Sequence, residues 1–73
     1  MTDVTLHITE NTDHAQREKL RDSLLAMNGV MAAAYHDERP HLMIIEYDPN
    51  IVEAVEFVEH TRREGLHSQL VGM

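Results

Sequence analysis

The chain has 73 residues and a formal net charge of −7, from thirteen acidic and six basic side chains. That is room for one domain with one modest core, too little for a buried catalytic cleft plus a separate cofactor site. The acidity disfavours polyanions, so neither nucleic acid nor an anionic membrane is an expected partner, whereas cations and basic protein surfaces fit. The absence of cysteine removes disulfides, thiolate catalysis and thiolate metal ligation together.

Val4, Leu6 and Ile8 alternate with Thr5, His7 and Thr9, the period-two signature of a strand with one covered face, and predict a first strand from about Asp3 to Thr9. From Asp13 to Met27, the residues Leu20, Leu24 and Met27 recur at helical spacing, with Ala15 one turn earlier. Asp13 is placed to accept a backbone N–H from the first helical turn while Gln16 reaches back, a capping box. Gly29 then supplies the left-handed residue that ends a helix without Cβ strain.

An alanine-rich second strand is expected over Val30 to His36, a turn at Asp37-Glu38-Arg39-Pro40, and a third strand over Leu42 to Tyr47, the two pairing as a hairpin. The second helix is expected to start with Asn50 as cap and Glu53 at its third position. It would bury Ile51, Val55 and Val58, with Ala54 and Phe57 flanking. Arg62 and Arg63 suit the negative end of that helix, Glu53, Glu56 and Glu59 give it an acidic outer face, Gly65 stops it, and Leu66 to Val71 suit an edge strand. Right-handed crossovers then place both helices on one face of a four-stranded antiparallel sheet. The expected fold is a single α+β domain over residues 1–73, a ferredoxin-like βαββαβ sandwich with one sheet face left open.

Taken together, Val4 to Ile8, Gly29-Val30, Ile45-Glu46-Tyr47-Asp48-Pro49 and Gly65 before the last strand resemble the heavy-metal-associated domain of copper chaperones and metal-pumping ATPases. The resemblance implies a metallochaperone-like frame in which a Met-x-Cys-x-x-Cys loop between strand one and helix one chelates a soft metal ion, commonly monovalent copper. Counting back from Gly29, the methionine position is Asn11 and the two cysteine positions are Asp13 and Gln16. Copper(I) by cysteine ligation is therefore excluded, because soft metals want sulfur, whereas carboxylate and amide oxygens suit hard cations.

Two readings of that loop stand open. Asp13 and Gln16 are what a helix start wants in any case. Alternatively, Asp13 and His14, joined by His67 from the loop before the last strand, form a degenerate site for zinc, nickel or divalent copper. The other expectation concerns the open sheet face. If Met43, Ile45 and Tyr47 point to the helices, then His7, Ala32, Ala34, His36, Leu42 and Ile44 lie on the opposite face, apolar enough for an interface with a protein partner or a second copy of the chain.

Of five methionines, Met27, Met31 and Met43 fall at core or sheet positions, better read as packing than as thioether ligands. No glycine-rich phosphate loop is present, Ser23 and Ser68 have no evident base, and no enzyme is expected. No stretch approaches the ~20 apolar residues that span a bilayer, and Met1-Thr2-Asp3 opens without a basic segment and apolar run. A cytoplasmic binding or adaptor protein with no membrane partner is the expectation.

Overall fold

A computed structural model of the chain describes residues 2–71; the two terminal methionines, Met1 and Met73, lie outside them. The elements run β1 (Thr2–Ile8), α1 (His14–Leu25), β2 (Val30–Tyr35), β3 (Leu42–Tyr47), α2 (Val55–Arg63) and β4 (Ser68–Val71). All strand pairs are antiparallel, in the order β2-β3-β1-β4. This is the expected α+β, ferredoxin-like βαββαβ sandwich.

The alternation in β1 is realised fully. Val4, Leu6 and Ile8 are buried, and with Met43, Ile45 and Tyr47 from β3 they form the sheet's contribution to the core. Leu20 and Leu24 of α1 and Phe57 of α2 close over them. The capping box of α1 is present: Gln16 N–H donates to Asp13 Oδ1 at 2.8 Å, and Asp13 N–H donates to Gln16 Oε1 at 2.9 Å. The helix ends at Leu25 rather than Met27, tightening into a turn in which Met27 N–H donates to Leu24 C=O. Its inner stripe is Arg17, Leu20 and Leu24, while Ala15 is exposed.

In β2 one extra residue enters the ladder: Val30 lies opposite Tyr47, but Ala32 lies opposite Glu46. The bulge leaves Met31 exposed and re-phases the strand. Val30, Ala33 and Tyr35 can therefore all pack on the core, while Ala32 and Ala34 lie with Glu46 and Ile44 on the other face.

The start of α2 departs from the expectation. Asn50 does not cap it: Asp48 Oδ1 accepts Asn50 N–H, and Asp48 C=O accepts the N–H groups of Ile51 and Val52. These bonds hold Asp48 to Val52 as a turn of its own, and the helix begins only after Ala54, whose side chain offers no cap. The buried residues are accordingly Val52, Phe57 and Thr61, with Val58 partly buried, whereas Ile51 and Val55 are 54% and 53% exposed. Thr61 can sit in the core because its hydroxyl donates to Val58 C=O and meets Ser68 Oγ.

Candidate functional site

The fold gathers the β1–α1 loop, the β2–β3 turn and the start of β4 at one end. Ile8 N–H donates to His41 C=O and Thr9 N–H to His67 C=O, both at 2.8 Å. Two histidine–carboxylate pairs form there. His14 Nδ1 lies 3.1 Å from Asp37 Oδ1, and Arg17, its side chain 9% exposed, reaches the same oxygen at 2.9 Å. The Arg17 guanidinium also donates to Thr12 C=O and Thr12 Oγ1 and lies over the Tyr35 ring. On the other side His67 Nδ1 lies 2.6 Å from Glu10 Oε2, while His67 N–H donates to Glu10 Oε1.

Hydrogen bonding from His14, reinforced by Arg17, holds the Asp37 carboxyl below the usual carboxylate range, and hydrogen bonding from His67 does the same for Glu10. Carboxyls depressed in the folded chain bind protons later than the unfolded chain does. Their contribution is present above the ordinary carboxylate range and is lost as pH falls through it to the folded values. Urea melts at stepped pH should therefore show stability declining below about pH 4.5. The E10Q/D37N double variant should start less stable at neutral pH and lose less on acidification; an acid limb unchanged by the double variant would refute this assignment.

The open face of the sheet is ordered in cross-strand rows. The middle row runs Ala34, Ile44, Thr5, Val71 across all four strands, flanked on one side by Leu42, His7 and Gln69 and on the other by Ala32, Glu46 and Asp3. Ile44, on an interior strand, is 41% exposed, and Val71 43%. A cavity of about 140 Å³ lies here, lined by Thr5, Ala34, Leu42 and Ile44 together with His36 and Arg39; it falls below the several hundred Å³ of a small-molecule pocket and suits a single side chain. Five of the six residues expected on this face, His7, Ala32, Ala34, Leu42 and Ile44, are on it, and His36 follows the end of β2.

Solved structures superpose on nearly the whole chain. The copper-binding domain from HMA7, a P-type ATPase, matches with TM-score 0.89 and 21% identity over 99% of this chain and 96% of that one. The fold is that of heavy-metal-associated domains. Oxidised MerP from Ralstonia metallidurans CH34 matches with TM-score 0.87 and 17% identity over 97% of each chain. The CopZ metallochaperone matches with TM-score 0.83 and 15% identity over 93% of this chain and all of that one. No family model and no curated protein matches the sequence.

On this heavy-metal-associated frame the β1–α1 loop does not fit a cation. Asp13 Oδ1 is committed to the Gln16 amide, and the nearly buried, permanently charged Arg17 is bonded to Thr12 of that same loop. His14 meets Asp37 and His67 meets Glu10, each through Nδ1, and Asp13, His14 and His67, the expected ligands, form no metal-holding group among the described residues. Among the described residues no group of three or more His, Cys, Asp or Glu is placed to hold a metal ion.

The structure also corrects the view that Ser23 lacks a base nearby, since His60 Nε2 lies 2.8 Å from its hydroxyl, across the two helices. Ser23 Oγ also lies 2.9 Å from Leu20 C=O, so the carbonyl and the imidazole compete for its single proton. The contact ties α1 to α2. The buried Arg17 was the functional-end residue that sequence reasoning missed. Its signal was the stripe itself, because counting back from Leu24 and Leu20 lands on Arg17, not Ala15.

Proposed function

We propose that the chain is a small non-enzymatic binding module that uses the heavy-metal-associated frame to engage another protein through the open face of its sheet. It serves metal-ion handling as an adaptor, without thiolate chelation of its own. The observation that carries this reading is the middle row of the open face, where Ile44 stands exposed on an interior strand above a cavity sized for one side chain. An apolar patch rimmed by histidine and carboxylate is the composition of a binding surface. The metal-handling setting is supported by the neighbours described above, a copper-binding domain of a P-type ATPase and a metallochaperone.

Two measurements test the reading. Comparative capture with the wild-type chain, Ile44→Lys and the helix-face variant Glu56→Lys should show retained proteins lost only with Ile44→Lys; loss tracking Glu56→Lys instead would overturn the sheet-face reading. Calorimetric titration of the tag-free chain with zinc, nickel and divalent copper should give no site tighter than about 10 µM, roughly −7 kcal/mol. A tighter site abolished by His14→Ala or His67→Ala would restore the loop as a metal centre.

A further inference from the structure

The open face carries charge in an order that makes it complementary to itself. Asp3 and Glu46 are direct cross-strand partners, a like-charge pair that is unfavourable on an isolated sheet. Neither is paired with a basic group among the described residues. Two positions along the same strand from the Thr5 row, on its other side, stands His7, with His41 stacked beside it at 5.5 Å between ring centroids.

The protons of both rings are set by their surroundings. His41 Nδ1 donates to Ile8 C=O at 2.7 Å. His7 Nδ1 is buried with no partner, and an orphaned buried N–H is the state proteins avoid, so Nε2 carries the ring proton. His7 therefore presents an Nε2–H donor on the face that four residues earlier along β1 presents a carboxylate.

We infer that the partner of this face is a second copy of the chain, docked sheet to sheet about a two-fold axis running along the Ala34–Ile44–Thr5–Val71 row. The inference rests on the proposed use of the sheet face as a binding surface. Rotation about that axis inverts position along each strand. It sets Thr5 against Thr5 and Ile44 against Ile44 of the other copy, and brings His7 of each copy over Asp3 of the other, with Leu42 over Glu46. The alternative axis, along the strands, would stack the two acidic rows on each other, so the charge order selects the first. Isologous interfaces of this kind require self-complementarity of one patch, which the row order supplies.

The size of the face sets the strength. Four strands at about 4.8 Å spacing and six residues at about 3.3 Å rise give roughly 400 Å² in plan, short of the ~800 Å² per partner of a stable interface. A weak dimer follows, with Kd in the range of about 10 µM to 1 mM.

Because the chain has no cysteine, single cysteines report the axis directly. A short bis-maleimide should cross-link Thr5→Cys at least about ten times faster than Asp3→Cys or the helix-face control Glu56→Cys, since only the first residue meets its own counterpart, across the about 10 Å of packed sheets that a direct disulfide does not span. By sedimentation, His7→Asp and Asp3→His should each weaken association several-fold, and the double exchange should restore it, because swapping both preserves complementarity. A Thr5→Cys rate no faster than Glu56→Cys, a double exchange no better than the single variants, or a wild-type chain monomeric at 1 mM and low salt would each overturn the inference. If the chain is monomeric yet Ile44→Lys still loses a captured protein, self-association fails and the sheet-face function stands; if Ile44→Lys loses nothing and the chain is monomeric, both fail.

Discussion

Phe57→Ala is expected to remove about 3–5 kcal/mol of folding free energy, more than any other single truncation in the chain. Phe57 is fully buried and the only phenylalanine. It packs edge-on against Tyr47 of β3 with ring centroids 5.0 Å apart, an arrangement that contributes beyond simple area burial. A 73-residue domain has roughly 4–11 kcal/mol in total, so the variant loses a large fraction of its stability, and at the lower end of that range unfolds without denaturant. The companion measurement is Val55→Ala, two residues earlier and half exposed, which should change stability by no more than about 0.5 kcal/mol. Urea denaturation of both reads out the rotation of α2 about its axis. The reverse ranking, with Val55 costly and Phe57 cheap, would put Ile51, Val55 and Val58 on the inner stripe and contradict the structure.

That pair of residues also shows where the sequence was legible and where it was not. Element order, the covered face of β1, the span of β3 and the Asp13–Gln16 capping box could all be read from local patterns, because each depends on residues within one strand or one helical turn. The rotation of α2 could not. Ile51, Val55 and Val58 satisfy helical spacing, but the Asp48 side chain and carbonyl bind the next N–H groups into a turn, and the helix starts only at Val55. The bulge at Met31 was hidden for a related reason: a run such as Val30-Met31-Ala32-Ala33-Ala34 is apolar at every position and carries no period to reveal an extra residue.

At the candidate site, the residues of the open face were legible, since β1 and β3 alternate strictly. Their order into an apolar row between an imidazole pair and a carboxylate pair was not, because it depends on the register between strands distant in sequence. The loop end was legible only in part. Histidines and carboxylates do cluster there, but each imidazole meets, through Nδ1, a carboxylate far away in sequence, His14 at Asp37 and His67 at Glu10. Spacing along the chain cannot show such pairings.

Gly29→Ala is expected to cost about 2–4 kcal/mol, the sum of two effects that Gly65→Ala separates. Both glycines have positive φ, +96° and +82°, so each substitution carries the left-handed penalty of about 1–2 kcal/mol. At Gly65 a Cβ would meet nothing within 4 Å, and the penalty stands alone. At Gly29 it would lie 2.8 Å from Ile51 Cγ2 and 2.9 Å from Val52 Cγ1, and Val52 is a core residue that cannot retreat without opening a void. The neighbouring backbone is tied to the same place, since Asp48 N–H donates to Gly29 C=O at 2.8 Å. Relief of the clash therefore has to displace the whole 48–52 turn that sets where α2 begins. Urea melts of the two alanine variants should differ by at least about 1 kcal/mol, and hydrogen exchange in Gly29→Ala should accelerate first at Ile51 and Val52, whose N–H groups are held by Asp48. Equal destabilisation by the two substitutions, with exchange at Ile51 and Val52 unchanged, would show that the 48–52 turn is not anchored on Gly29.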